Sequence, residues 1–197
     1  MKHTFGKQAK LSGIALAAVA TFAALGFGTA QAASFTTADL SINSVGFLEA
    51  AFKETGLAPS APVNYTSSAT DVGWVSQCFV KNKPVANLPI KVHVAHTADG
   101  LTTTRTYTAT NRGVITQAIL TAFPTVEAEV EDPLCPHTEG VVITEEITAI
   151  RWCNASLTDT TNTIVGASEP SLFLQMKRNG SSAVPECGVL STLPTDF

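Results

Sequence analysis

The chain has few charges, few exposed-platform aromatics and none of the short motifs that mark common chemistries. Charged residues occupy 14% of its 197 positions, with twelve Lys and Arg against sixteen Asp and Glu. An acidic chain with scattered basic residues offers no electrostatic footprint for nucleic acid or an anionic membrane. No Gly-rich phosphate loop or Rossmann fingerprint is present, nor a G-x-S-x-G elbow, so the usual signals for nucleotide binding and for that class of hydrolase are missing. The four cysteines include no C-x-x-C pair, which argues against zinc and against thioredoxin-like redox chemistry. Two tryptophans and two tyrosines are a small supply for a sugar-binding platform. No repeat of about 20–50 residues and no biased linker divides the chain. After residue 32, no apolar run is long enough to span a bilayer.

What is present starts with the N-terminus. Lys2, Lys7 and Lys10 stand without an acid, "LSGIALAAVATFAALGFG" is uncharged and apolar, and Ala30 and Ala32 close the segment with small residues. A basic start, an apolar middle and an A-x-A-like end form an export signal, and residues 1–32 are assigned to it. The rival is an uncleaved anchor; the Ala- and Gly-rich run and the good cleavage site favour removal before Ala33. The remaining 165 residues hold all sixteen acids and nine bases, a formal net charge of −7. They suffice for one domain with a real core. A secreted or extracellular location is expected, periplasmic if the source is Gram-negative.

Cys78, Cys135, Cys153 and Cys187 are an even set in a chain expected to meet an oxidising compartment, which implies two disulfides. The residues themselves permit three connectivities.

From residue 35 the texture is β: abundant Thr and Val, punctuating Pro and Gly, and period-2 runs. "IKVHVAH" puts Ile90, Val92 and Val94 opposite Lys91, His93 and Ala95. "TTTRTYTAT" and "VITQAILTAF", joined by the turn residues 111–113, read as a hairpin. "GVVITEEITAIRWCNASL" is the longest run, with Val142, Ile150 and Trp152 on one side and Glu145, Ile147 and Cys153 on the other. Apolar residues on both sides suit a central strand covered on both faces. "SLFLQMK" offers Leu172, Leu174 and Met176 as another alternating strand. "FLEAAFKETGL" has helical propensity, yet its surroundings favour a strand burying Leu48, Ala50 and Phe52. These signals predict an all-β, immunoglobulin-like antiparallel β-sandwich over 33–178, with a closed barrel as the alternative. Residues 179–197 are expected to form a tail tethered by Cys187.

"FKETGL" at 52–57, Cys78, "CP" at 135–136 and "LTDTTN" at 157–162 together resemble a group of small secreted bacterial β-sandwich proteins. In these an aromatic-Lys-Glu-x-Gly-Leu strand end precedes an aromatic-rich strand bearing a Cys, then a Cys-Pro and a "LTDTTNG"-like turn. The resemblance covers about residues 48–166 and implies a fold rather than an activity. It implies a Cys78–Cys135 pair, which leaves Cys153 to join Cys187. The chain departs from the pattern in its second cystine, in Thr163 where a Gly is expected, and in its longer tail.

The side chains able to do chemistry each have a plainer reading. His93, His96 and His137 lack the spacing of a triad or a metal set. Glu127, Glu129 and Glu131, with Asp132, share one face of an extended segment. A solvated strand edge that repels other edges accounts for them more simply than calcium or a glycosidase pair. Trp74 and Trp152 read as core, packing near cystines. Asp159 and Asn162 read as turn residues bonding their own backbone. The sequons at Asn64, Asn154 and Asn179 read as chance matches. No catalytic residue, metal ligand or cofactor is assigned. The expected role is a non-enzymatic extracellular or envelope-associated binding or structural module with an unknown ligand; the alternatives are a carbohydrate-binding module and, behind it, a small hydrolase.

Overall fold

The computed structural model describes residues 32–123, 135–136 and 139–194. All but the last residue of the expected export signal, the acidic run at 127–132 and His137 lie outside the described residues. Among those described, no helix is long and apolar enough to cross a membrane.

Among the described residues, ten strands build two antiparallel sheets that pack face to face. The first sheet has the order β1 (Ser34–Ile42), β2 (Leu48–Thr55) and β8 (Ile115–Thr121). "FLEAAFKETGL" is therefore a strand at its centre, and Leu48, Ala50 and Phe52 are buried as its period-2 pattern requires. Burial of each larger apolar side chain contributes about 1.5–3 kcal/mol, which outweighs helix propensities of tenths of a kcal/mol.

The second sheet is centred on β9 (Thr144–Asp159), sixteen residues long. One edge of β9 pairs with β10 (Ile164–Gln175). The other edge meets β4 (Asp71–Val80) and β3 (Pro62–Ser68), which lie end to end along it. Beyond them come β6 (Lys91–His96), paired with β4, and β7 (Thr102–Thr108), paired with β3. A two-residue strand, β5 (Lys83–Pro84), closes a hairpin on the end of β4.

β3 and β4 behave as one strand bent at Ala69 and Thr70. Tyr65 pairs with Asp159 and Asp71 with Cys153, so the same register runs through the bend. The inward-facing residues, however, change parity there. Val63, Tyr65 and Ala69 face the core on one side of the bend, Val72 and Trp74 on the other; on β9 the switch falls between Trp152 and Ala155. Asn154 makes that switch possible by adopting a left-handed backbone, φ +48°, a conformation Asn tolerates better than most residues. Its Nδ2 donates to Thr70 Oγ1 at 2.9 Å, and Thr70 N donates to Cys153 O at 3.0 Å. β6 and β7 part at the same level, around a 3-10 turn at Thr97–Asp99. The result is a corner that divides the second sheet into two halves.

A second irregularity corrects one sequence expectation. Ala149 pairs with Val75 and Ile147 with Ser76, leaving Thr148 as an extra residue. This bulge turns Ile147 to the same side as Ile150, against the main core, where simple alternation puts them on opposite sides. The hairpin expected of 102–121 also forms differently. Its turn is present, with Gly113 N donating to Thr110 O and Thr110 N to Val114 O. The flanking strands then diverge into different sheets, so the unit is an arch.

The main core lies between the sheets and includes Phe52, Tyr65, Trp74, Ile119, Ile150, Trp152 and Leu157. Trp152 Nε1 donates to Gly46 O at 2.9 Å, pinning the β1–β2 turn across the sandwich. On the far side of β4, β6 and β9, the chain after Arg178 forms a third layer. Val184 packs on Val75 and Ala149, and Leu190, in the short helix α1 (Cys187–Leu190), packs on Val94 and Cys153. β9 is thus covered on both faces from Ile147 to Cys153, where its two-sided apolarity lies. Cys153 is bonded to Cys187, and Cys78 to Cys135. Neither cystine joins sheet to sheet; the first ties the tail to β9 and the second ties β4 to residue 135.

Candidate functional site

Three places concentrate polar chemistry, and the first lies inside the sandwich. Glu54 continues the buried parity of Leu48, Ala50 and Phe52 and has no exposed surface. Tyr65 and Asp159, a registered pair on β3 and β9, are equally buried and face it from the other sheet. Tyr65 Oη donates to Glu54 Oε2 at 2.7 Å. Asp159 Oδ1 accepts the backbone N–H of Thr161 at 2.8 Å and of Asn162 at 3.0 Å, while Oδ2 accepts Asn162 Nδ2 at 2.6 Å. Glu54 Oε1 is buried without a hydrogen-bond partner, and the charge of Asp159 acts on the Glu54 carboxyl. Burial and a nearby like charge both favour the protonated form of Glu54. Burial, followed by the charge of Asp159, pushes Glu54 up from 4.5 to about 7 against the opposing pull of the Tyr65 hydroxyl. The same burial and the adjacent carboxyl push the Tyr65 phenol up. Without exposed surface, this trio links sheet to sheet.

The second place is at the corner. His96 Nδ1 lies 2.6 Å from Asp71 Oδ1 and its Nε2 lies 2.9 Å from the carbonyl of Leu193. Both partners are acceptors, so the ring must donate from both nitrogens and is an imidazolium. The Leu193 carbonyl and Asp71 raise its proton affinity, in that order, with burial opposing them. Thr70 Oγ1 donates to Asp71 Oδ2 at 2.7 Å, and His96 N to Asp99 Oδ2 at 2.7 Å.

The third place is a surface. On the half of the second sheet that the tail leaves uncovered, the outward residues of three strands form registered rows. Asn64 stands opposite Thr106; Thr66 lies between Thr104 and Thr158; Ser68 lies between Thr102 and Ser156. All are hydroxyl or amide side chains, and none is charged. Thr66 and Thr104 hydroxyls are 3.0 Å apart, Ser68 and Ser156 hydroxyls 3.0 Å apart, and Thr106 Oγ1 donates to Asn64 Oδ1 at 2.6 Å. Rows spaced about 4.8 Å across strands and about 7 Å along them follow from the sheet itself.

The residues singled out in the sequence fall elsewhere or inside. His93 is buried, its ring stacked on Trp74 at 5.2 Å, with Glu145 Oε1 3.8 Å from Nε2. Trp74 and Trp152 are both buried and offer no exposed ring to a sugar. Trp152 points into the sandwich while Cys153 points to the tail, so ring and cystine lie on opposite faces. Asp159 and Asn162 do bond their own turn, as expected. Glu127, Glu129, Glu131, Asp132 and His137 lie outside the described residues. Among the described residues, no group of three or more His, Cys, Asp or Glu is arranged to hold a metal.

Sequence reasoning missed the role of Glu54 and the His96–Asp71 contact. Glu54 had a signal: it occupies the next inward position after Leu48, Ala50 and Phe52. His96 had none, because its partners are brought together only by the corner and by the docked tail. Comparison with protein-family models, with curated proteins and with solved structures finds no match for this chain.

Proposed function

We propose that the chain is an exported, non-enzymatic module of the extracellular space or cell envelope that binds through the uncharged hydroxyl face of β7, β3 and β9. The observation that carries this reading is that face: registered, solvent-facing rows without a charge, in a chain whose mature part has a formal net charge of −7. A soluble surface ordinarily intersperses charges of both signs. Neutral hydroxyl rows suit a neutral polymer rich in hydroxyl and amide groups, such as an envelope polysaccharide. Export is supported by two cystines and by the basic, apolar and small-residue succession at the N-terminus. "Immunoglobulin-like" describes the two-sheet plan and not the disulfides, since an antibody-type cystine bridges the sheets.

The test is depletion of the oxidised chain, residues 33–197, from solution by the producing cells' envelopes and by a panel of insoluble polysaccharides. The doubly substituted Thr104→Glu, Thr106→Glu chain is the comparison, because both positions are exposed and the change charges the face without touching the core. Depletion of the native chain and not of the variant supports the reading. Retention on a single polysaccharide narrows it to a carbohydrate-binding module. Equal behaviour of the two chains overturns it.

A further inference from the structure

Beyond Cys187, which is fixed to Cys153, the described tail residues 188–194 are held by the packing of Leu190 and Leu193 and by few bonds to the body. Leu190 fills the space over Gly73, where a Cβ would lie 2.5 Å from Leu190 Cδ2, and it covers Val94 and Cys153. The hydrogen bonds within 186–193 are local ones, from Val189 and Leu190 to Glu186 O, Ser191 to Cys187 O, Thr192 to Val189 O and Leu193 to Leu190 O. The bond that joins the end of the segment to the body is from His96 Nε2 to Leu193 O.

We propose that the His96 imidazolium latches residues 188–194 onto the outer face of β4 and β6, and that loss of its proton releases that end and uncovers the Cys153–Cys187 cystine. The geometry requires it. With one proton gone, a single N–H serves two acceptors, and the shorter, charge-assisted bond to Asp71 keeps it. A ring lone pair then faces the Leu193 carbonyl, and the contact turns repulsive. The charged groups that face the ring among the described residues are Asp71 on β4 and Asp99 on the turn after β6; the tail from Cys187 to Pro194 brings no charged side chain. Both carboxylates favour the imidazolium. The latch is therefore closed below the ordinary histidine range and opens as pH rises past the raised value.

The cystine reports the state of the latch, with the second cystine of the same chain as reference. A water-soluble trialkylphosphine is added to the native chain at several pH values from about pH 6 to about pH 8.5. Each reduction gives two thiols and a phosphine oxide whose oxygen comes from water. Thiols are trapped with an alkylating reagent and assigned by peptide mass mapping. The ratio of the Cys153–Cys187 rate to the Cys78–Cys135 rate removes the reagent's own pH dependence and any global loosening. That ratio is expected to rise several-fold across the range in the native chain. In His96→Gln it should be high and flat, and in Asp71→Asn the rise should move to lower pH. A flat ratio in the native chain overturns the proposal, whatever the variants do. So does a His96→Gln chain that keeps the native profile.

Discussion

Glu54→Gln separates the buried carboxyl pair from every other source of pH dependence. The amide keeps the size of the acid and its carbonyl accepts the Tyr65 hydroxyl as Glu54 does, while the side chain can no longer ionise. In the native chain Glu54 is raised from 4.5 to about 7. An acid whose folded value is raised stabilises the fold fully below its unfolded value, here about 4.5, and that contribution is lost as pH climbs to about 7. At roughly 1.4 kcal/mol per pH unit the total is about 3 kcal/mol. His96 also favours the fold at low pH, with its loss at overlapping values, so the native curve alone mixes the two. The difference between native and Glu54→Gln cancels His96. Urea denaturation at half-unit steps from about pH 4.5 to about pH 8 should show near-equal stabilities at the acid end. Above neutral the variant should be more stable by about 2–3 kcal/mol, a large fraction of a typical domain's total. Parallel curves for the two chains would refute the raised value of Glu54, and so would a variant that is less stable at every pH by the same amount.

Two further substitutions test the backbone. Thr163 sits at φ +57°, a costly conformation for a β-branched residue; Thr163→Gly should stabilise the chain by about 0.5–1 kcal/mol after the added freedom of the unfolded glycine is counted, seen as a higher thermal midpoint. Gly113, at φ +67°, has the Leu57 carbonyl oxygen in the space a Cβ would take, and Leu57 N donates to its carbonyl at 3.2 Å; Gly113→Ala should cost about 2 kcal/mol or more in a chemical denaturation curve.

Local pattern made the strands legible and left their assembly obscure. "FLEAAFKETGL" was ambiguous by itself, with helical propensity against alternating apolar residues, and its β-rich surroundings decided for the strand; that alternation, continued, points Glu54 inward. β9 announced its central place because both its faces are apolar. The corner was another matter. Its mark in the sequence is a three-residue step between inward residues, from Trp152 to Ala155, where alternation demands two. Such a step is indistinguishable from noise until β3 and β4 are known to switch beside it. The arch at 109–114 misled for a related reason. Thr110 and Gly113 specify a turn, but whether the strands beyond it pair or part depends on sheets built from distant residues. The cystines were legible as a count. Their pairing rested on resemblance alone, because spacing leaves three choices open.

The buried trio explains why a polar site can hide in a sequence that reads as core. Burying an acid costs free energy unless its polar atoms find partners. Apolar contacts, however, are non-directional. Phe52 tilted against Tyr65, with ring centroids 4.4 Å apart, tolerates sliding of one sheet over the other, whereas Tyr65 Oη and the Glu54 carboxyl meet in one arrangement only. Asp159 is fixed in turn by Thr161 and Asn162, whose turn carries the Thr160 and Thr161 contacts to Asn64. Asn64 belongs to the hydroxyl face. The same chain of bonds that holds the two sheets in register therefore also sets the edge of that face, which gives a reason for a buried acid where a leucine would have packed at less cost.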